Sequence, residues 1–257
     1  MIRGLYTAAA GMAVATRWQE VLSNNLTNAS TPGYKGDRLL TQSFPGLMLS
    51  RLNDQKPPGW RVSLRPQVGW LATGAAVRRT AVDFTPGALK ETGSPLDLAI
   101  SGSGFFVVQT DAGEAYTRAG TFTLDQAGRL VTRNGHLVLG VDGVLEFPST
   151  DRAGIVVARD GSVRSGERVL GRLRIVDFTD RSVLTKMGGG LFRAVDVPVE
   201  ATGYEILQGY LEESNVQAVV EMVRMIETMR SYEANQKAIQ AHDQALGKAV
   251  NEVGASS

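Results

Sequence analysis

The hydrophobic positions divide the chain into two patterned ends and a middle stretch with a different period. Over residues 1–29 and roughly 213–253, apolar side chains recur at alternating steps of three and four residues. From about residue 76 onward, the middle stretch alternates at every second position. A sustained 3.5-residue period keeps one stripe of a helix facing a partner, and a period of two is typical of strands. The pattern predicts an α+β protein in which two long terminal helices enclose an antiparallel all-β domain.

The terminal stripes define the residues that we expect to pack between helices. In the first helix they are Leu5, Ala8, Met12, Ala15, Leu22 and Leu26, with polar Gln19 among them. In the last helix they are Met222, Met225, Met229, Tyr232, Ile239, Leu246, Val250 and Val253, with polar Gln236 and Asp243 among them. A helix over 213–253 would be about 60 Å long, which exceeds the width of a compact domain of this size. Coiled-coil-like packing with other helices is therefore predicted; an amphipathic helix packed on its own domain is the alternative.

Small residues form part of the surface of the first helix. Residues 8–15 are mostly Ala, and Gly11 lies among them. A glycine in a helix costs about 1 kcal/mol relative to alanine, so helix propensity alone gives no reason for it. The composition favours close approach of another helix at this point.

Turn signals mark out the middle of the chain. Pro32 and Gly33 end the first helix, and the proline-rich stretch 31–75 predicts an extended linker with short strands around Trp60–Leu64 and Val68–Leu71. Tight hairpins are then predicted at Asn134-Gly135, Asp142-Gly143 and Asp160-Gly161. The predicted domains are an N-terminal helix (1–30), a linker (31–75), a β domain (76–207) and a C-terminal helix (208–257).

Composition excludes several classes of protein. The chain has 257 residues, a net charge of +1 and no cysteine, which leaves no disulfides, no thiol nucleophile and no cysteine-ligated metal. Without a long run of basic residues, nothing indicates nucleic acid as a partner. Arg3 and the following alanines resemble a signal peptide, but the stripe continues past the expected cleavage point at Ala15 to Leu26. We therefore predict that no leader is removed.

The search for catalytic chemistry gives no convincing site. The histidines are His136, which is expected in a hairpin, and His242, which is expected to face solvent. Gly-x-Ser-x-Gly, P-loop and His-Glu-x-x-His motifs are absent from the sequence. The glycine-rich stretch 101–104 leads into a strand rather than a helix, so it lacks the helix N-terminus that binds phosphate. We predict no catalytic, cofactor-binding or metal site, no small-molecule substrate, and thus no enzyme.

Three groups of sequence motifs resemble the bacterial flagellar rod and hook proteins. The first covers Met1–Met12 and Ser23–Lys35, the second Leu96–Phe106 and Tyr116–Phe122, and the third Gln208–Val216, Glu221–Ile226 and Arg230–Asn235. The motif positions that the resemblance singles out are Asn24, Asn25, Asn28, Thr31, Gly33, Tyr34, Asp97, Gly104, Phe105, Gly209, Ser214, Asn215, Arg230, Tyr232 and Asn235.

The resemblance implies a structural subunit of the flagellar basal body. Members of this family are exported unfolded through the flagellar type III apparatus without a cleaved leader, and they polymerise helically outside the cytoplasmic membrane. The implied product is a hollow drive shaft that transmits torque and conducts export. The implied partners are further copies of the chain, other rod and hook axial proteins, the export apparatus and the ring proteins around the rod.

The sequence leaves alternatives for the subtype within the family and for the class of function. The opening Arg3–Ala9 and the segment 44–70 are most similar to the distal rod type, whereas Thr27 and the short region 145–205 depart from it. A proximal rod or hook-type axial protein is the alternative within the family. From other classes, the pattern leaves a β-rich exported adhesin with a helical stalk, and a wall hydrolase that would need a pair of carboxylates. By residue type alone the candidates for that pair are Asp97, Asp111, Asp125 and Asp160.

Overall fold

The computed structural model describes residues 2–50, 67–147, 154–166 and 168–254. The strand that the sequence predicts around Trp60–Leu64 lies outside these residues. The helices are α1 (Ile2–Thr27) and α2 (Ala218–Gly254), with a 3-10 turn at Arg181–Val183. The first strands are β1 (Asp37–Ser43), β2 (Leu47–Ser50), β3 (Gln67–Leu71), β4 (Ala75–Val82), β5 (Leu89–Glu91), β6 (Leu98–Ser101), β7 (Phe105–Thr110), β8 (Gly113–Thr117), β9 (Phe122–Leu124) and β10 (Leu130–Thr132). The remaining strands are β11 (Leu137–Gly140), β12 (Gly143–Val144), β13 (Ile155–Val157), β14 (Ser162–Ser165), β15 (Arg168–Arg172), β16 (Ile175–Asp177), β17 (Thr185–Gly188), β18 (Leu191–Arg193), β19 (Val199–Glu200), β20 (Glu205–Gln208) and β21 (Tyr210–Glu212).

Two compact units make up the chain. Unit 1 contains residues 1–24, 38–81 and 219–257, and unit 2 contains residues 25–37 and 82–218. These divisions differ from the predicted domain boundaries, because residues 25–37 cluster with the β region and residues 38–81 cluster with the helices.

Unit 1 pairs the two terminal helices in antiparallel directions. A side chain on Gly4 would collide with the ring of His242, and one on Gly11 would lie 2.8 Å from the Asn235 amide nitrogen. Position 4 therefore contacts the C-terminal part of α2, and position 11 contacts α2 seven residues nearer its start. The small residues of α1 make room for polar groups of α2, which accounts for Gly11. His242 was expected to face solvent, and that expectation is wrong because its imidazole packs over Gly4.

The structure divides the predicted stripe of α2 between two faces. Half-buried positions recur at steps of three and four; they are Met225, Thr228, Tyr232, Asn235, Ile239, His242 and Leu246. Glu221, one step earlier, is buried. Met222, Met229 and Val250 are exposed instead. On α1 the buried positions are Ala8, Ala15 and Leu22, which belong to the predicted stripe, and Asn25, which does not.

The predicted start of the last helix is wrong. Residues 213–217 are not helical, and α2 begins at Ala218. The chain just before them forms β20 and β21, which pair antiparallel with β6 and β5. Pairing with distant strands satisfies the backbone of β20 and β21, and this tertiary pairing overrides the local helical pattern at the start of the predicted helix. The predicted strand at Val68–Leu71 is confirmed as β3, which pairs with β2.

Unit 2 is built around an antiparallel sheet of ten strands. Its main path runs β17-β18-β8-β7-β11-β10-β9, with β12, β16 and β19 joined to it, and β13-β14-β15 form a separate small sheet. The three predicted hairpins are confirmed between β10 and β11, β11 and β12, and β13 and β14. The central strand β7 is buried on both faces. Phe106 and Val108 belong to one core cluster, and Phe105 and Val107 belong to the other.

Candidate functional site

Segments from the three motif groups meet in unit 2 at a buried cluster of charges. Glu212 of β21 forms ion pairs with Lys35 of the N-terminal motif and with Arg118 of the central motif. Its second carboxylate oxygen, Oε2, lies 3.3 Å from Arg118 Nη1. The side chains are only 2% (Lys35 and Glu212) and 5% (Arg118) exposed. We call these residues the ionic cluster.

Backbone groups complete the hydrogen bonding of the ionic cluster. Lys35 Nζ donates to the Thr85 carbonyl at 2.9 Å, and the Gly87 backbone N–H donates to Glu212 Oε1 at 2.9 Å. Arg118 donates from Nη1 to the Ile100 carbonyl at 3.1 Å and from Nη2 to the Gly102 carbonyl at 2.7 Å. Within the described part of the chain, every buried side-chain nitrogen and oxygen has a partner. A buried ion pair is tolerated only when its remaining polar groups are satisfied in this way.

Two asparagines extend the ionic cluster along the N-terminal motif. Asn25 exchanges two hydrogen bonds with the backbone of Asp37, at 2.9 and 2.8 Å, and its Oδ1 also accepts the Tyr34 hydroxyl at 3.2 Å. Asn215 accepts the Gly36 N–H at 2.8 Å and donates to the Asp83 carbonyl at 2.8 Å. Both side chains thus take the place of backbone partners, so the motif is fixed to two distant segments of the chain.

Close backbone approach explains one glycine of the motif. Gly33 has φ 68°, in the left-handed region, and a side chain there would collide with the backbone of Arg118 and Ala119. Its N–H donates to the Glu212 carbonyl at 2.7 Å. Any other residue would be both strained and too large at this position. The glycine therefore lets the N-terminal motif lie directly on the other two.

Lys186 covers the edge of this region. Its Nζ lies 4.1 Å from the centre of the Tyr34 ring and 2.9 Å from Asp37 Oδ1, and it donates to the Lys35 carbonyl at 2.5 Å. Burial lowers the pKa of Lys186, while the hydrogen bond to Asp37 opposes that change. The ring and the carboxylate together stabilise the partly buried ammonium group.

Alkaline pH tests the burial of Lys35. Burial lowers the pKa of Lys35 below its ordinary value of 10.5, although Glu212 opposes the change. As pH rises, the folded state loses this proton before the unfolded state does. The free energy of unfolding therefore rises with pH between the folded pKa and 10.5, and this gain is lost again as pH falls through the folded pKa. We expect urea unfolding to give a more positive slope of free energy against pH in that window for the natural chain than for Lys35→Met. Equal slopes would contradict the assignment.

The structure brings part of the predicted motif set together. Asn25, Gly33, Tyr34 and Asn215 surround the ionic cluster, and the core residue Phe105 lies against it, with its ring centre 5.4 Å from Arg118 Cζ. Arg230, Tyr232 and Asn235 lie on α2 in unit 1. The remaining motif positions sit in turns or strand ends of unit 2 or at the end of α1; they are Asn24, Asn28, Thr31, Asp97, Gly104, Gly209 and Ser214. Lys35, Arg118 and Glu212 were quoted within the motifs but were not chosen as site residues. No local pattern common to the three marks them in the sequence.

Three of the four carboxylates considered for hydrolysis have local structural partners. Asp125 accepts hydrogen bonds from the backbone and side chain of Arg129, both at 2.8 Å. Asp160 bonds the backbone and hydroxyl of Ser162 in its hairpin turn, and Asp97 accepts the Thr92 hydroxyl at 2.7 Å. Among the described residues, no group of His, Cys, Asp and Glu is arranged to hold a metal ion. These carboxylates stabilise turns.

Unit 1 exposes two apolar surfaces. The first half of α2 presents exposed large apolar side chains; they are Val219, Val220, Met222, Val223, Ile226 and Met229. We call this set the outer face of α2. The β2–β3 hairpin exposes Leu47, Met48, Val68 and Trp70, and Trp70 is 73% exposed. Contiguous apolar surface of this kind marks an interaction site rather than an ordinary solvent-facing surface.

Comparisons with known proteins agree with the three motif groups. Family models match at residues 5–35 (flagella basal body rod protein), 99–165 (flagellar hook protein FlgE/F/G D1 domain) and 207–252 (flagellar basal body rod FlgEFG protein C-terminal). The chain is 34% identical to the flagellar hook-basal body complex protein FlhO of Bacillus subtilis, over 99% of both chains. It is 35% identical to the flagellar basal-body rod protein FlgG of Buchnera aphidicola subsp. Acyrthosiphon pisum, over 96% of this chain and 98% of the relative. It is also 35% identical to the flagellar basal-body rod protein FlgF of Caulobacter vibrioides, over 99% of both. No helix in the described part of the chain is long and apolar enough to cross a membrane.

Proposed function

The chain belongs to the flagellar basal-body rod protein family and is a structural subunit of the rod, and we propose that it builds the distal rod by helical polymerisation through the outer face of α2. Several of its relatives are named flagellar basal-body rod protein FlgG, the distal rod type. The proposal concerns which surfaces join the copies and where in the rod they lie.

The exposed apolar side chains of α2 carry this proposal. The side of α2 that packs within the chain mixes apolar residues with the polar Glu221, Thr228, Asn235 and His242, while large apolar side chains stay exposed on the outer face. A surface helix of a globular protein normally turns its apolar stripe toward the core and exposes polar residues. Burying one large aliphatic side chain contributes about 1.5–3 kcal/mol, so covering this face would strongly favour association. The missing cover is supplied, in our proposal, by helices of other copies.

The predicted packing residues then divide into two sets. Met225, Tyr232, Ile239 and Leu246 pack with α1 in the same copy, together with the α1 residues Leu5, Ala8, Met12, Ala15, Leu22 and Leu26. Met222, Met229 and Val250 pack between copies. Coiled-coil character belongs to this second arrangement, since the repeating stripe of one copy needs helices of others to close it.

Open-ended growth follows from the kind of contact. A surface that binds a different surface on the next copy produces a filament when the rotation between copies does not close. The exposed β2–β3 hairpin is a second apolar surface for such a neighbour. In our proposal this pair of strands therefore contacts adjacent subunits.

The ionic cluster serves rigidity. Lys35, Arg118 and Glu212 tie three distant segments into one packed unit, and Asn25 and Asn215 fix the N-terminal motif on both sides. Satisfied buried polar networks hold a single arrangement of the chain because each alternative leaves a group unpaired. A drive shaft that transmits torque needs such a unit.

Family membership also supports the remaining assignments. The chain assembles with other rod and hook axial proteins. We further propose that it is not an enzyme, that the flagellar type III apparatus exports it without a cleaved leader, and that it lies outside the cytoplasmic membrane within the rings around the rod. The turn-stabilising roles of Asp97, Asp125 and Asp160 support the absence of hydrolysis.

Basal bodies from a strain lacking this gene test the position in the rod. We expect electron micrographs to show basal bodies that end after the proximal rod and carry no hook, and we expect the natural gene to restore both. Basal bodies without any rod would assign the chain to the proximal type. A complete rod with a hook would overturn the function as a rod subunit.

A further inference from the structure

Unit 2 contains a cavity that the ionic cluster does not use. It has a volume of about 280 Å³, and its walls include Asn28 and Thr31 of the N-terminal motif, Thr117 of β8, and Arg133. Arg133 is exposed, and it has no hydrogen bond or ion pair with any part of the described chain. The cavity thus combines a mostly apolar lining with a cation that has no counter-ion among the described residues.

A glycine turn keeps this cavity open. Gly189 and Gly190 line it with φ of 60° and 77°, which other residues rarely adopt. A side chain on Gly189 would lie 2.8 Å from Asn134 Nδ2, across the wall. The turn leads directly into β18, whose first residue, Leu191, also lines the cavity. The opening is therefore built into the backbone at the start of this strand.

A protruding tip lies beyond the other end of the same strand. Residues 194–198 connect β18 to β19, and Val195 and Val197 are 91% and 87% exposed, more than any other large hydrophobic residue described. Asp196 stands between them and has no hydrogen bond or ion pair within the described chain. The tip therefore presents two exposed valines on either side of a carboxylate, and that carboxylate is the negative charge missing from the cavity.

The tip cannot occupy the cavity of its own copy, because both of its valines are exposed. From Gly190 to Asp196 the chain can span at most about 20 Å, so cavity and tip lie on the same part of unit 2 but at opposite ends of β18. We propose that the tip of one copy inserts into this cavity of the next copy, with the Asp196 carboxylate facing the Arg133 guanidinium. The contact joins two different surfaces and so propagates along a filament.

This inference rests on the proposed function, since only a polymer presents a second copy in a fixed position. It adds a contact between β units to the contact between helices. The paired charges fix the register of that contact, and the valines exclude water from it. The occupant is a second copy of this chain rather than another axial protein, because the two complementary surfaces are on one molecule.

The natural absence of cysteine allows a direct test. The double variant Arg133→Cys/Asp196→Cys is expressed in a strain lacking the natural gene, and purified rods are treated with a short bis-maleimide. A crosslinker is used because a disulfide needs Cβ atoms about 3.5–4.5 Å apart, closer than paired Arg and Asp side chains require. We expect a ladder of covalent multimers on a denaturing gel, and only monomer from either single variant. Rods that form but give only monomer would overturn the inference and leave the proposed function standing.

Charge reversal tests the same contact if the cysteine variant does not assemble. Arg133→Glu and Asp196→Arg should each weaken association about tenfold, and the double reversal should restore it. Asp142→Lys and Arg164→Glu, which change exposed charges elsewhere on unit 2, serve as matched controls and should leave assembly unchanged. A double reversal no better than the single variants would overturn the inference. If the natural chain itself formed no rods in this strain, the proposed function would fail instead.

Discussion

Replacing Ile226 by Asp abolishes rod assembly while the subunit itself stays folded. Ile226 lies on the outer face of α2 and is 51% exposed, so a charge there is solvated in the free subunit and leaves its packing intact. In the polymer the same charge would be buried, which costs several kcal/mol, and the burial of Ile, about 1.5–3 kcal/mol, would be lost as well. Since each 1.4 kcal/mol is a factor of ten, each junction between copies weakens by at least about a hundredfold.

Swimming assays and electron micrographs of basal bodies measure this result. Gln240→Asp is the matched control, because it places the same charge on an exposed position of the polar half of α2. We expect circular dichroism of both purified subunits to match that of the natural chain. Normal rods and motility in the Ile226 variant would contradict the assignment of this face to contacts between copies.

Replacing Glu212 by Gln destabilises unit 2 by about 3–5 kcal/mol, the range measured when one partner of a buried ion pair is removed. The substitution keeps the shape of the side chain but leaves Lys35 and Arg118 buried without their shared counter-ion. Lys35→Met should cost less, because the remaining Arg118 and Glu212 still form a neutral pair. The Thr85 carbonyl, which loses its lysine partner in that variant, also accepts Asn215 Nδ2 at 3.2 Å.

The neighbouring residue provides a control for the Glu212 variant. Glu213 is exposed, and its Oε1 lies 3.7 Å from Lys90 Nζ. Glu213→Gln should therefore change the free energy of unfolding by no more than about 1 kcal/mol. Urea unfolding followed by far-ultraviolet circular dichroism measures the stability of both variants. A Glu212→Gln chain as stable as the Glu213→Gln chain would show that the ionic cluster is not needed for folding.

The sequence predicted the hairpins and strands of this protein because short-range backbone preferences determine them. The Asn134-Gly135 and Asp160-Gly161 turns need backbone conformations that few other dipeptides adopt, so their hairpins are visible in the sequence. The apolar run Phe105–Val108 is strand-like in sequence, and it forms the start of β7, which is buried on both faces. The start of α2 was misplaced because the pairing of Tyr210–Glu212 with β5 depends on residues more than a hundred positions earlier.

The phase of the α2 stripe was the harder problem. Met222 and Met229 are the apolar choice, so hydrophobicity alone assigns them to the helix-packing stripe without saying which helix covers them. The structure instead places Asn235 and His242 against α1, because Gly11 and Gly4 leave space for their polar ends. Hydrophobic periodicity could identify a stripe, but only the partner helix decides which neighbouring stripe faces inward. The ionic cluster was similarly hidden, since its charges share no local spacing.

The ionic cluster also sets the order in which the chain can finish folding. Lys35 and Glu212 are 177 residues apart in sequence, and both β20 and β21 pair with strands formed more than a hundred residues earlier. When the N-terminus emerges first, Lys35 and Arg118 appear before Glu212, the anion with which both form ion pairs. Burying two cations without it is strongly unfavourable, so unit 2 closes only after residue 212 is free. A partly emerged subunit therefore stays open, and closure reports that almost the whole chain has arrived.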